Sequence, residues 1–128
     1  MKKYKIVAIC GKAGAGKDAL LQALLRAYPE AHEIISYTTR PPRDYEVDGK
    51  NYHFITKEQF IKLIEEGKIL EAAEFNNWVY GTSVDDLEED KLNFGVFNPT
   101  GVESLDTYDN LDVLLVMCTC ADHTRLIR

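Results

Sequence analysis

The chain has 128 residues, 45% hydrophobic and 28% charged, which is enough for one ordinary hydrophobic core and excludes whole-chain disorder. The net charge of −6 argues against a general nucleic-acid binder, and it is unevenly spread: residues 1–43 hold eight Lys or Arg against Asp18, Glu30 and Glu33, whereas residues 83–112 hold nine acids against Lys91 alone. The longest apolar run, residues 111–118, contains Asp112 and is too short to span a bilayer, and residues 6–10 are too brief for a secretion signal, so a cytoplasmic protein with no membrane partner is expected.

Residues 4–10 (YKIVAIC) are β-rich and read as an opening strand. Glycines at 11, 14 and 16 follow, and then Leu20, Leu21, Leu24, Leu25 and Tyr28 recur at helical spacing up to Pro29. A second strand is expected over residues 32–38, ended by Pro41-Pro42. Asp48-Gly49 is a hairpin-turn signal, with residues 52–55 as the outgoing strand. Thr56 and Gln59 form a capping box for a helix turning Phe60, Leu63 and Ile64 inward, and Gly67 is its natural stop. A short strand is expected over residues 69–75, and an acidic helix or turn over residues 84–90 with Ser83 as cap. Residues 94–97 and 112–118 read as buried strands, separated by a helix with Asn98 as cap and Pro99 at its first position. Residues 122–128 read as a helix start. Strands alternating with helices imply an α/β fold with a parallel sheet, into which residues 36–82 are inserted as a partly antiparallel unit. The core is then residues 1–35 with 83–128. Cys10, Cys118 and Cys120 lie in or beside buried strands and read as small hydrophobes in a reducing compartment, and no zinc-ligand spacing is present.

Two motifs carry chemistry. Gly11-Lys12-Ala13-Gly14-Ala15-Gly16-Lys17-Asp18 fits the phosphate-binding pattern G-x-x-x-x-G-K between a strand and an amphipathic helix. Glycines let consecutive backbone N–H groups line one concavity, the helix adds its positive end, and Lys17 neutralises outer phosphates. Asp18 replaces the usual Ser or Thr and has two readings, a favourable acid in a first helical turn or a carboxylate ligand for Mg²⁺. The second motif is SYTTRPPR, residues 36–43: the prolines hold it extended, so that Arg40 and Arg43 project from one face at polyproline spacing. Rigid guanidinium groups suit phosphates. The alternative is a solvated basic loop that pairs with Asp44, Glu46 and Asp48.

The run SYTTRPPRDYEVDGKNYHF, followed by ILEAAEF and VYGT, resembles the nucleotide-binding region of the guanylate kinase family, with the phosphate loop at the family's distance upstream. The resemblance implies transfer of the γ-phosphoryl group of ATP to GMP with Mg²⁺, on a P-loop core with an inserted GMP-binding subdomain and a mobile lid. Position by position, it assigns residues 11–18 to ATP, with Gly11, Lys12, Ala13, Gly14, Ala15, Gly16, Lys17 and Asp18 forming the loop. It assigns Arg40, Arg43, Tyr52 and Tyr80 to the GMP phosphate, and Ser36, Glu71 and Thr82 to the guanine edge. Gly81 lies beside the base as a backbone requirement. A carboxylate at Glu71 can accept guanine N1–H and N2–H together; its alternative is a surface acid on an edge strand. Tyr37, Phe54, Phe75 and Trp78 are expected to be packing residues, and His53 structural.

The sequence departs from the family pattern where residues 94–102 offer Val96 and Asn98 in place of two aspartates that manage Mg²⁺ and contact the acceptor. Asn98 either hydrogen-bonds the acceptor or only caps a helix, and Asp18 becomes the candidate metal carboxylate. Of the arginines with which the family's lid acts only Arg125 and Arg128 remain, Arg128 near the first such position, so Lys17, Arg40 and Arg128 are the catalytic candidates and the chain reads as lacking its C-terminal lid. Two other functions stay open: a kinase for another nucleoside or deoxynucleoside monophosphate, and a non-catalytic binding module of the same fold.

Overall fold

A computed structural model describes residues 3–11 and 16–118. In chain order its elements are β1 (Tyr4–Gly11), α1 (Lys17–Ala27), β2 (His32–Glu33), β3 (Tyr37–Thr38), β4 (His53–Phe54), α2 (Lys57–Glu65), β5 (Ile69–Phe75), β6 (Trp78–Ser83), β7 (Leu92–Val96), α3 (Pro99–Leu105) and β8 (Leu111–Cys118). A 3₁₀ turn covers Val84–Asp86. The chain divides into two compact units, one made of residues up to Glu33 with those from Glu88 onward, the other of Ile34–Leu87.

The first unit is a parallel sheet in the order β2-β7-β1-β8. Strand β1 lies between two neighbours and is buried almost throughout, which is why its sequence is a near-continuous apolar run and not an alternating one. Val7 and Ile9 on β1, Phe94 on β7 and Leu21 on α1 form the core on one face, supported by Leu20, Leu24 and Leu25. Tyr28, at the end of this helical stripe, is exposed but sets its ring edge-on to Phe94, 5.8 Å between centroids. Helix α3 packs against β1 and β8. It starts as its sequence dictates, with the Asn98 side chain accepting from Gly101 N (2.6 Å) and Pro99 at the first position.

A buried polar knot fixes where the chain re-enters this sheet. Asn93 is fully buried on β7; its Oδ1 accepts from Glu88 N (2.8 Å), and its Nδ2 donates to Lys5 O (3.0 Å), Glu88 O (2.9 Å) and Lys91 O (3.2 Å). One side chain thereby supplies what β1 and the incoming segment would otherwise leave unpaired.

The second unit has a sheet in the order β4-β3-β6-β5. Strands β5 and β6 form an antiparallel hairpin whose turn residues Asn76 and Asn77 both have positive φ (52° and 69°). Strand β3 pairs antiparallel with β6 and parallel with β4. The capping box of α2 is complete, Thr56 Oγ1 accepting from Gln59 N (3.1 Å) and Gln59 Oε1 from Thr56 N (2.8 Å). Gly67 follows the helix with φ +73°.

Several sequence expectations are corrected. The strand over residues 32–38 is two strands in different sheets, because Ile35 N donates to Asp86 Oδ2 (2.7 Å) instead of continuing a ladder. Asp48-Gly49 turns the chain, with Gly49 at φ +83°, but no hairpin results: β4 pairs with β3 in parallel, and Asp48 Oδ1 accepts from Phe54 N (3.0 Å). Ile64 is exposed, Phe60 alone on α2 being fully buried. Phe75 and Trp78 are exposed cross-strand neighbours at the hairpin end and not packing residues. Strand β6 escaped the sequence reading, the 3₁₀ turn is shorter than residues 84–90, and β7 begins at Leu92. Cys10 is a free, buried thiol, as expected; Cys120 and the helix start at residues 122–128 lie outside the described residues. No helix among the described residues is long and apolar enough to cross a membrane.

Replacing Asn93 by Ala should destabilise the fold by about 1–3 kcal/mol, because it takes from backbone groups of Glu88 and Lys5 the buried side chain that pairs them. Urea denaturation followed by circular dichroism measures this, and a lowered midpoint with unchanged slope is the expected result.

Candidate functional site

In the first unit, β1 ends at Gly11 and α1 begins at Lys17. Gly16 between them is left-handed (φ +83°, ψ 24°), and the first turn of α1 has no side-chain cap. Its leading N–H groups are therefore not satisfied by a capping side chain and keep the positive end of the helix available. Lys17 is half-buried and Asp18 is exposed in that first turn. Lys12, Ala13, Gly14 and Ala15, and likewise Arg128, lie outside the described residues. Asn98 uses its side-chain oxygen to cap α3, so the capping alternative is the one observed. Among the described residues no group of three or more His, Cys, Asp or Glu forms a metal cage.

In the second unit, the two-residue period of the strands sorts the side chains onto two faces. Register pairs Tyr37 with Gly81 and with His53, and Thr38 with Tyr80 and with Phe54. Gly81 faces α2: a Cβ there would lie 2.8 Å from Glu71 O and 2.9 Å from the Phe60 ring. Glycine at 81 is thus required by the protein's own packing, which is the backbone requirement expected there. Tyr37 and His53 share that face, with rings 4.5 Å apart, and His53 Nε2 lies 2.6 Å from Asp86 Oδ1. These contacts give His53 the structural place expected of it. Burial, then the charges of Asp86 and Asp85, pushes the Tyr37 phenol up.

The opposite face carries Thr38, Phe54, Tyr80 and Thr82, joined by Tyr52 two residues before Phe54 and by Glu71 across from Thr82. The Tyr52 ring is 5.7 Å from that of Phe54 and 5.8 Å from that of Tyr80. Thr82 Oγ1 donates to Glu71 Oε2 at 2.8 Å. Burial raises the Glu71 carboxyl, opposed by that hydrogen bond. Glu71 stands on the edge strand β5, as the alternative had it, but is half-buried there instead of fully exposed. Ser36 precedes β3 and its carbonyl accepts from His53 N (2.9 Å).

Arg40 is the buried cation of this face, 9% exposed. Its Nη1 donates to Glu46 Oε1 (2.9 Å) and to Pro41 O (3.1 Å), and its Nη2 to Glu46 Oε2 (2.9 Å). The guanidinium carbon lies 5.4 Å from the Tyr52 ring centre and 5.9 Å from that of Phe54. Glu46 also accepts from Arg43 N (2.8 Å). The Arg40 hydrogen bonds, then the backbone N–H of Arg43, hold the Glu46 carboxyl down to about 2, and the same pairing raises Arg40 further above its already high range, with the Tyr80 hydroxyl contributing. Arg43 is exposed and touches the Tyr45 hydroxyl at 3.4 Å, so the two arginines do not form the matched rigid pair that polyproline spacing implied. The turn after Pro42 is the reason: Glu46 N donates to Arg43 O (2.9 Å), folding the loop back onto Arg40.

Sequence reasoning named Glu46 only as one of three acids pairing with a solvated basic loop, and it missed the part played by Thr38 and Thr39. Thr38 Oγ1 donates to Val79 O (3.0 Å) and accepts from Arg40 N (3.2 Å), and Thr39 Oγ1 accepts from Val79 N (3.1 Å). The alternation of Tyr52 with Phe54 and of Tyr80 with Thr82 was the available signal for the shared face. Nothing in the sequence selects Glu46 over Asp44 or Asp48.

Because the folded state binds the Glu46 proton less tightly than the unfolded chain, whose carboxyl titrates near 4.5, its stabilising contribution is complete above that pH and is lost as pH falls towards about 2. Glu71, raised instead of lowered, works in the opposite sense, its ionisation above pH 4.5 acting against the fold. Urea midpoints at pH 7 and pH 3 should therefore fall less for Glu46→Gln than for the parent chain, Glu71 being common to both.

The sequence profile of the guanylate kinase family matches residues 3–92. Guanylate kinases from Nostoc sp. and Pseudomonas fluorescens are 44% and 47% identical over 78 and 81 residues, or 61% and 63% of this chain and 39% of each relative. That from Rubrobacter xylanophilus is 40% identical over 89 residues, 70% of this chain and 47% of the relative. The chain thus spans less than half the length of these relatives. The crystal structure of guanylate kinase from Anaplasma phagocytophilum aligns with a TM-score of 0.61 and 21% identity, covering 91% of this chain and 61% of that one, which fixes the fold as the same parallel α/β type. With its profile match across most of the described length, the chain belongs to the guanylate kinase family.

Proposed function

We propose that this protein transfers the γ-phosphoryl group of ATP to GMP, giving GDP. The observation that carries the reading is the single face of the second sheet on which Arg40, Tyr52 and Tyr80 stand two residues along β6 from the Thr82–Glu71 pair. Two residues of strand span roughly 7 Å. One end of the face is cationic and hydroxyl-bearing, suited to a phosphate; the other offers a carboxylate, suited to the adjacent N1–H and N2–H donors of guanine. The family membership supports the same substrates.

On this reading Ser36, Glu71 and Thr82 read the base, and Arg40, Arg43, Tyr52 and Tyr80 hold its phosphate. The attacking group is a phosphate oxygen and already anionic, so the protein needs no general base. Catalysis rests on positioning and on stabilising the charge of the transferring group. The glycine loop ending in Gly16 and Lys17 receives the donor phosphates at the start of α1. Mg²⁺ bound with nucleotide phosphates requires one or two protein carboxylates, not a full cage. Asp18, exposed in the first turn of α1, fits that requirement. The ion, when bound there, neutralises charge on the donor phosphates.

Coupled measurement of ADP release with a panel of nucleoside monophosphates should show a requirement for GMP; turnover of another monophosphate in preference would overturn the reading. Glu71→Gln exchanges an acceptor for a donor facing guanine and should raise KM for GMP by about 10- to 100-fold, the equivalent of about 1.5–3 kcal/mol for a hydrogen bond to a charged group, while the KM for ATP stays near that of the parent. Asp18→Ala should raise the Mg²⁺ concentration needed for half-maximal turnover without altering GMP affinity. A metal titration at saturating nucleotide measures this.

A further inference from the structure

We propose that Glu46 is a positioning residue for the acceptor phosphate: it grips one edge of the Arg40 guanidinium and leaves the other edge aimed at the ligand. The proposal rests on the GMP reading of this face. Arg40 has five N–H donors. Glu46 occupies one on each terminal nitrogen, and the second N–H of Nη1 goes to Pro41 O. What remains is the side edge formed by Nε and the second hydrogen of Nη2, a fork suited to two oxygens of one phosphate. The Tyr80 hydroxyl, itself a phosphate candidate, already hydrogen-bonds the Arg40 side chain, so an incoming phosphate shares Arg40 with it or displaces it.

Both ends of the arginine are tied. Its backbone N–H donates to Thr38 Oγ1, which is anchored to Val79, and its tip is held by a carboxylate whose own position is set by the Arg43 N–H. An exposed arginine on this loop would lose much rotamer freedom on binding a phosphate, as Arg43 must. Arg40 has already lost it in the folded chain. A buried ion pair is weak evidence for stability, since desolvation offsets much of its attraction. Its position here, one guanidinium edge filled and the other turned to a shared face with Tyr52 and Tyr80, gives it a use that stability alone does not.

Isothermal titration of the parent chain, Glu46→Gln and Glu46→Asp with GMP and with guanosine separates this role from a structural one, with urea denaturation confirming that each variant folds. Glu46→Gln should weaken GMP binding at least tenfold and change guanosine binding less than twofold, because guanosine has no phosphate to feel a mispositioned Arg40. Glu46→Asp keeps the charge on a shorter arm; it should fall between the two, and it carries the test if Glu46→Gln does not fold. GMP affinity within twofold of the parent in folded Glu46→Gln, or in Glu46→Asp where Glu46→Gln does not fold, overturns the proposal, as does an equal loss for GMP and guanosine. Failure of the parent chain itself to bind GMP overturns the functional reading and this inference with it, whereas parental binding with unaffected variants overturns the role of Glu46 alone.

Discussion

The second unit depends on the close approach of β6 to α2 at Gly81. With Phe60 and the Glu71 carbonyl both within 3 Å of where a side chain would start, residue 81 admits no Cβ without displacing backbone. Strand geometry then dictates the rest: if 81 faces the helix, 80 and 82 face away from it. Tyr80 and Thr82 are thereby delivered to one surface, and cross-strand register adds Glu71, Thr38 and Phe54 to the same side. The face that carries the candidate site is the complement of the face that holds the unit together.

Burial on that surface sets the electrostatics. Arg40 and Glu46 are nearly inaccessible, and each shifts the other towards its charged form. Glu71 is bonded by the hydroxyl and the backbone N–H of Thr82 and is offset by no cation, so burial dominates and its carboxyl rises. Two carboxylates on one small unit are thus driven in opposite directions. The one held ionised is committed to an internal partner; the other, half-desolvated and bonded to Thr82 alone, retains acceptor capacity for donors from outside.

Legibility in the sequence followed the range of the interaction that decides each feature. The capping box at Thr56, the Asn98-Pro99 helix start, and the strand at residues 69–75 are settled within a few residues, and they were read with their correct positions. Strand β1 was legible because burial on both sides writes an unbroken apolar run. The split of residues 32–38 was not, since it turns on Asp86, far along the chain, capturing the Ile35 N–H. The same holds for the Asp48-Gly49 segment: the turn is local and was visible, but its parallel pairing to β3 is not encoded nearby. At the candidate site the residue types were legible and their partners were not. Arg40 was named, yet three acids follow it within eight residues, and only the fold of the loop selects Glu46. Asn93, in an apolar stretch, gave no sign of its four hydrogen bonds.

The β5–β6 hairpin has a consequence for the order in which the unit is assembled. Its register pairs all lie between Ile69 and Ser83, closed by a two-asparagine turn whose backbone conformation matches the twist of paired strands. Contacts of such short loop length form with little entropy lost to chain closure, ahead of those that bring in distant segments. The Glu71–Thr82 pair belongs to this local set, whereas the Thr38–Val79 and Arg40–Tyr80 contacts must wait for the chain from the far side of α2. The half of the face proposed to read the base is therefore built from short-range structure and the half proposed to hold the phosphate from long-range structure, so the two halves of one candidate surface carry different kinetic costs.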